Sequence, residues 1–261
     1  MGLAFAVIGR NEAATLENSL AMARDAARAG ERVVYVDSWS SDGSPELAAS
    51  LGYEVIRAPA GKGRAVAAAL RELGAGHVCL LDADIWDGSD NLALGLRRAH
   101  DEAPADMIVA DFDWPEKRTY AVLPAMYWPL LESLFPEAVD GFGPLAIVGF
   151  RIVDAGLAFG ELPRGYGVEV HMNIVAATRG FSTRTVPCGT YHGPVRDNFP
   201  ELCRDIAGAV LTLAEADGRL HGTRGEWDAW VGEAIAAVRE RPAIGEEAFQ
   251  RRVGELKGRR P

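Results

Sequence analysis

The chain has 261 residues, of which 48% are hydrophobic and 25% are charged, with a formal net charge of −10 at pH 7. This length fits one large domain or a domain with an appendage, and the acidic balance argues against nucleic acid as a partner. Three cysteines without a Cys-x-x-Cys pair argue against a disulfide framework. The N-terminal run lacks a signal-peptide pattern and the longest apolar stretch contains two prolines. We therefore expect a soluble, cytoplasmic protein without a transmembrane segment.

Strand and helix signals alternate through the first hundred residues. Apolar residues at helical spacing predict a first helix, and two more helices are predicted to open at Ser44, with a capping hydroxyl, and at Gly61. This alternation predicts an α/β fold with a mostly parallel sheet flanked by helices. The predicted strands of this part are residues 3–8, 32–36, 53–57 and 77–81.

The pattern becomes less regular after Asp101. Short strands are expected at residues 107–110 and 185–187, and helices from Pro200 to the end. We interpret a stripe of tryptophans in the last part as packing. The sequence thus predicts one α/β domain over residues 1–199 and a helical C-terminal extension over residues 200–261.

Two aspartates, Asp82 and Asp84, end the fourth predicted strand. Side chains alternate along a strand, so both are expected on the same side. Mg²⁺ or Mn²⁺ is the usual partner of such a pair, and it keeps open positions for substrate phosphates. The loops 9–12 and 37–42 follow neighbouring strands, and ligands of parallel sheets gather at these ends. We therefore expect the three loops to converge on a diphosphate–metal site.

These motifs also have other interpretations. A two-aspartate pattern also occurs by chance in turns, and a second pair, Asp111 and Asp113, competes with the first. The Gly61-Lys62-Gly63 loop lacks the first glycine and the hydroxyl residue of a P-loop, and the first strand lacks the glycine run of a dinucleotide fingerprint. The sequence therefore argues against a nicotinamide enzyme.

Several motifs together carry a family resemblance. Residues 7–12, residues 36–44 and the pair Asp82 and Asp84 resemble the nucleotide-sugar domain of GT-A glycosyltransferases of family 2 and its relatives. The Gly61-Lys62-Gly63 loop, the segment 163–169 and His192 resemble glucosyl-3-phosphoglycerate synthases and related retaining enzymes. The resemblance covers roughly residues 4 to 200 and implies a Rossmann-like GT-A fold.

The resemblance also implies a role for each candidate residue. Asp84 and Glu169 would be catalytic, with Glu169 gripping hydroxyls of the transferred sugar. Asp82, Asp84 and His192 would bind Mg²⁺ or Mn²⁺. Arg118, Thr119 and Arg196 would bind a phosphate or carboxylate of the acceptor. The residues that would bind the nucleotide sugar are Gly9, Arg10, Glu12, Asp37, Ser38, Lys62, Asp82, Tyr166 and Gly167.

The expected activity is metal-dependent transfer of a hexose from a UDP- or GDP-sugar to a small, anionic acceptor, with retention of configuration. An inverting enzyme would need a carboxylate to deprotonate the acceptor, with Asp111, Asp113 or Glu169 as candidates. A sugar nucleotidyltransferase and a non-catalytic nucleotide-sugar binder are the remaining alternatives. The turn at 147–150 departs from the family pattern, so the sequence does not identify the acceptor. It does not identify the transferred sugar or the nucleobase of the donor either. A homodimer through the helical extension is expected.

Overall fold

The computed structural model describes residues 2–74, 76–115, 121–194 and 199–261. Within these ranges strands and helices alternate up to the fifth strand, as the sequence predicts. The strands are β1 Leu3–Gly9, β2 Val33–Asp37, β3 Glu54–Arg57, β4 His77–Asp82, β5 Met107–Asp113, β6 Arg151–Asp154 and β7 Thr183–Thr190. The helices are α1 Leu16–Ala26, α2 Ser44–Ser50, α3 Lys62–Leu73, α4 Leu92–Glu102, α5 Trp128–Leu134, α6 Val168–Thr178, α7 Phe199–Ala216, α8 Arg224–Ile244 and α9 Glu246–Gly258.

The described strands form one seven-stranded sheet in the order β3-β2-β1-β4-β6-β5-β7. Neighbouring strands run parallel except for β6, which is antiparallel to both β4 and β5. The interior strand β1 is almost wholly buried, as expected for a strand covered by helices on both faces. The α/β prediction is confirmed.

The register of β1 brings the predicted loops together. Gly9 lies opposite Asp37 on one side, and Ile8 lies opposite Asp82 on the other. The carboxyl ends of β1, β2 and β4 therefore meet at one edge of the sheet, which confirms the predicted convergence. Strand β4 ends at Asp82, one residue beyond the predicted end, and pairing with β1 stops after one further bond, from the Ala83 N–H to the Ile8 carbonyl (2.9 Å), so Asp84 lies beyond the strand.

Two local features differ from the sequence predictions. Ser44 does not cap α2: Gly43 takes the cap position with φ +85°, and the Ser44 hydroxyl instead accepts a hydrogen bond from the Glu12 N–H (3.0 Å). Strand β6 was not predicted, because it has four residues and begins with the charged Arg151.

The C-terminal helices pack on the same hydrophobic core as the sheet. Side chains of α7 and α8 belong to the main core cluster, among them Ile206 and Val210. Trp227 and Trp230 are buried with their rings 5.9 Å apart, and their indole N–H groups donate to the backbone carbonyls of His221 and Leu256. The tryptophan stripe is therefore packing, as predicted. Within the described ranges, every helix is too short or too polar to cross a bilayer.

The buried His100 should make stability depend on pH. The rings of His77 and His100 lie 4.7 Å apart, and neither ring nitrogen of His100 has a hydrogen-bond partner among the described residues. Burial lowers the pKa of His100, helped by His77 and Arg97 and opposed by Asp101. The unfolded chain therefore takes up a proton first as the pH falls below the ordinary value of 6.5.

We predict that the stability contribution is present above pH 6.5 and is lost as the pH falls toward the folded-state pKa of His100. The free energy of unfolding at pH 5.5 should be lower than at pH 7.5, with up to about 1 kcal/mol of the loss due to this residue. Urea unfolding at both pH values measures the difference. The variant His100→Leu should show a smaller loss, and an unchanged pH dependence would contradict the prediction.

Candidate active site

The loops after β1 and β2 are joined by hydrogen bonds. The Asn11 N–H donates to Ser40 Oγ (2.9 Å), and the Ser41 N–H donates back to Asn11 Oδ1 (2.8 Å). Asn11 adopts φ +59°, which Asn tolerates better than most residues. Arg10 is exposed and Glu12 is half-buried beside this junction. The two predicted nucleotide-binding loops therefore form one fixed surface.

The loop after β2 also contacts the start of α3. Asp37 is buried and accepts a hydrogen bond from the Ser40 N–H (3.1 Å). The buried Ser38 accepts one from the Gly61 N–H through its hydroxyl (3.0 Å), directly before Lys62. Gly9 lies where a Cβ would come within 2.6 Å of the Ala83 Cβ, so only glycine fits there.

Lys62 lies between two carboxylates from distant parts of the chain. Its Nζ is 3.0 Å from Asp82 Oδ1 and 2.8 Å from Glu169 Oε1. Burial by itself would lower the pKa of Lys62, but Asp82 and Glu169 outweigh it and raise the pKa, so the ammonium stays charged. A Cβ on Gly149 would lie 2.8 Å from the Lys62 Nζ and 2.6 Å from an Asp82 oxygen. Glycine at 149 therefore leaves room for this ion-pair cluster of Lys62, Asp82 and Glu169.

Close backbone packing places Glu169 beside Lys62. The Gly63 N–H donates to the Gly165 carbonyl (3.2 Å), which joins the start of α3 to the segment before α6. The Tyr166 N–H donates to the Asp205 carboxylate (2.8 Å) of α7. Gly167 packs so tightly on α7 that a Cβ would lie 2.5 Å from the Asp205 carbonyl oxygen. Tyr166 and Gly167 thus hold the first turn of α6, which carries Glu169.

Arg151, which the sequence analysis missed, lies fully buried beneath this cluster. Its guanidinium donates to the Val148 carbonyl (2.6 Å) and to Asn173 Oδ1 (2.9 Å), while Nε has no partner among the described residues. Burial lowers the pKa of Arg151, and the negative charges of Glu169 and Asp82 are among the groups that oppose this. The sequence signal that could have indicated this buried arginine is its place inside the apolar run 147–153. The four side chains of Arg151, Lys62, Asp82 and Glu169 border a cavity of about 10 Å³, close to the space of one water molecule.

Asp84 and His192 lie on two loops that are joined at their backbones. The Trp86 N–H donates to the His192 carbonyl (2.8 Å), and the Tyr191 hydroxyl donates to Asp84 Oδ1 (3.2 Å). The Tyr191 ring packs edge-on against Trp114, with centroids 4.8 Å apart. Both Asp84 and His192 are half-buried at the same edge of the sheet as the ion-pair cluster.

The predicted metal ligands Asp82, Asp84 and His192 are not arranged as a three-ligand metal site in the structure. Among the described residues, no group of three or more His, Cys, Asp or Glu side chains is arranged to hold a metal ion. Asp82 faces Lys62 with both oxygens (3.0 and 3.1 Å). Asp84 and His192 offer a carboxylate and an imidazole at this edge of the sheet. This donor set fits a Mg²⁺ or Mn²⁺ ion that takes the rest of its shell from phosphate oxygens and water.

The predicted acceptor residues Arg118, Thr119 and Arg196 lie outside the described residues. At the end of β5, Asp111 is half-buried and Asp113 is exposed.

Comparisons with known proteins agree with this architecture. The family described as Glycosyl transferase family 2 matches residues 5–143. The chain therefore belongs to glycosyltransferase family 2, and it is a glycosyltransferase rather than a nucleotidyltransferase. No curated protein matches the sequence.

Solved structures share the GT-A fold of this chain. Glucosyl-3-phosphoglycerate synthase from Mycobacterium tuberculosis, in complex with phosphoglyceric acid, has a TM-score of 0.72 at 19% identity, over 82% of this chain and 80% of that one. The structure of the same enzyme with Mn²⁺, UDP-glucose and phosphoglyceric acid has a TM-score of 0.70 at 19% identity, over 82% of this chain and 80% of that one. Mannosyl-3-phosphoglycerate synthase from Rubrobacter xylanophilus has a TM-score of 0.71 at 23% identity, over 86% of this chain and 77% of that one.

We predict that loss of Lys62 destabilises the fold. The variant Lys62→Met should lower the free energy of unfolding by about 3 kcal/mol, because it leaves the buried Glu169 carboxylate unpaired. The double variant Lys62→Met/Glu169→Gln should lose less than the two single variants combined. Urea unfolding at pH 7 measures all three.

The matched control for these Lys62 and Glu169 variants is Arg71→Met at the other end of α3. Arg71 forms an exposed pair with Glu72 (3.0 Å), so this variant should change stability by less than about 0.5 kcal/mol. A Lys62→Met variant as stable as Arg71→Met would contradict the structural role of the ion-pair cluster.

Proposed function

We propose that this chain transfers a hexose from a nucleoside diphosphate sugar to a small acceptor that carries a phosphate or carboxylate, with Mg²⁺ or Mn²⁺ as cofactor. The observation that carries the proposal is the ion pair of Lys62 with Asp82 and Glu169, at the edge where the β1, β2 and β4 loops converge. It sets a fixed cation and two carboxylates beside Asp84. Such a cation suits a diphosphate, and the carboxylates suit sugar or ribose hydroxyls.

The donor nucleotide would lie along the joined β1 and β2 loops. Gly9, Arg10, Glu12, Asp37 and Ser38 surround this surface, which the hydrogen bonds between the loops hold in place before any ligand arrives. Such preorganisation lowers the entropy lost on binding. The UDP-glucose bound by the Mycobacterium tuberculosis enzyme supports a uridine nucleotide, while GDP stays an alternative.

Asp84 and His192 would hold the metal ion. When bound, a divalent cation neutralises charge on the departing diphosphate and orients it. The Tyr191 hydroxyl holds one Asp84 oxygen, and the backbone bond of His192 to Trp86 holds the two loops together. Lys62 would bring a second positive charge to the diphosphate, and Asp82 would keep this ammonium in position. Complexes of the Mycobacterium tuberculosis enzyme with UDP and Mg²⁺ or Mn²⁺ support a divalent metal ion beside a nucleoside diphosphate.

The surroundings of Glu169 favour a retaining mechanism over an inverting one in which this residue is the base. Its carboxylate is buried and paired with Lys62 at 2.8 Å, so it faces the interior of the site. This position suits a hydrogen bond from a sugar hydroxyl better than removal of a proton from an acceptor that arrives from solvent. An inverting enzyme would have to use Asp111 or Asp113 instead.

The acceptor half of the proposal rests on the sequence resemblance and on the phosphoglyceric acid bound by the Mycobacterium tuberculosis enzyme. Arg118, Thr119 and Arg196 would bind its anionic group. The homodimer through the helical extension also stays a prediction.

The proposal is tested by incubating the protein with UDP-glucose or GDP-mannose, 3-phosphoglycerate and Mn²⁺. We expect release of the nucleoside diphosphate and a product whose anomeric configuration, read by NMR, matches that of the donor sugar. Asp84→Asn should reduce kcat/KM at least about 100-fold, because several kcal/mol of metal-derived charge stabilisation are lost. The inverted anomer would contradict retention.

The matched control is Asp87→Asn, an exposed carboxylate on the same loop. It should keep the activity and its dependence on Mn²⁺. Equal activity of Asp84→Asn and Asp87→Asn would contradict the metal assignment.

A further inference from the structure

Trp39, in the loop after β2, combines two unfavourable features. Its side chain is 69% exposed, the largest exposed fraction among the large hydrophobic residues of the described chain. Its backbone has φ +67°, a left-handed conformation that is a genuine outlier for a bulky residue. Glycine would take this conformation without strain. An exposed aromatic ring on a strained backbone contributes nothing evident to stability, and such outliers cluster at ligand sites.

Hydrogen bonds on both sides keep the strained backbone of Trp39 in place. The preceding hydroxyl, on Ser38, accepts from the Gly61 N–H (3.0 Å), and the following one, on Ser40, accepts from the Asn11 N–H (2.9 Å). The Ser40 N–H donates in turn to Asp37 Oδ1 (3.1 Å). The ring is thus presented on a rigid support formed by the β1, β2 and β3–α3 loops.

The position of this support indicates what the ring contacts. Ser38 is joined to Gly61, and the next residue, Lys62, reaches Asp82 on β4. A nucleoside diphosphate with its phosphates near Lys62 and Asp84 would extend its base toward the β2 loop. A flat, rigid aromatic face offers stacking, which accepts any base.

We propose that Trp39 is the stacking surface for the nucleobase of the donor. This inference rests on the proposed function, because it assumes a nucleoside diphosphate sugar as the ligand. It explains why the chain keeps an exposed ring at a position that glycine would fill without strain. Because stacking does not distinguish bases, selection among them falls to polar groups of the β1 and β2 loops.

A second exposed tryptophan has a different place. Trp86 is 41% exposed, but its backbone is joined to His192, so it lies at the metal end of the site rather than at the nucleobase end. Leu51 is 36% exposed at the end of α2 and serves as a control for removal of exposed apolar surface.

The test uses Trp39→Gly, Trp39→Phe and Leu51→Ala in the full chain. Titration calorimetry measures binding of UDP with Mn²⁺ and of pyrophosphate with Mn²⁺, which lacks a base. Trp39→Gly should weaken UDP binding about 5- to 150-fold, the range measured for loss of one stacked base. Trp39→Phe should fall between this variant and the wild type, and Leu51→Ala should leave UDP affinity unchanged. Pyrophosphate affinity should stay within about twofold in every variant.

A stability measurement separates stacking from damage to the loop. Trp39→Gly should have a higher Tm than the wild type without ligand, because glycine relieves the strain, while its UDP affinity falls. Unchanged UDP affinity in Trp39→Gly would overturn the inference and leave the proposed function standing. An equal loss of affinity for UDP and for pyrophosphate in Trp39→Gly would also overturn the inference. A wild-type protein that binds pyrophosphate but no nucleoside diphosphate would contradict the proposed function as well.

Discussion

The ion pair between Lys62 and the carboxylates of Asp82 and Glu169 is the contact on which the site depends. It joins the start of α3, the end of β4 and the first turn of α6. Two carboxylates could not be held side by side in a shielded position without a cation between them. The buried Arg151 lies under the same group and brings the four charges to balance. The ion pair therefore connects the start of α3 and the end of β4 with the segment that carries Glu169.

The convergence of the loops after β1, β2 and β4 was predictable because it follows from strand periodicity and sheet topology. Parallel strands end at one edge, so three loops far apart in sequence had to converge, and the register of β1 with Asp37 and Asp82 shows that they do. The closeness of Lys62 and Glu169, 107 positions apart, has no signal in local pattern. Only the family resemblance predicted that Lys62 and Glu169 contact the same ligand, the nucleotide sugar.

Other parts of the site could not be predicted, for identifiable physical reasons. Asp84 lies beyond the end of β4, so the alternation of side chains along a strand says nothing about its direction. Arg151 begins a four-residue strand whose burial depends on carbonyl groups of the preceding turn and on Asn173. Ser44 has the residue type and position of a helix cap, yet its hydroxyl bonds to the β1 loop because tertiary contacts outweigh local preference.

Asp84 and His192 are the proposed ligands of the metal ion that would bind the diphosphate. The most direct test is a crystal structure with Mn²⁺ and UDP, in which anomalous scattering locates the metal. We expect one Mn²⁺ within about 2.1 Å of an Asp84 oxygen and a His192 ring nitrogen, with the diphosphate completing its coordination and lying beside Lys62. A Mn²⁺ ion held instead by Asp111 and Asp113, with neither Asp84 nor His192 bound to it, would contradict this assignment.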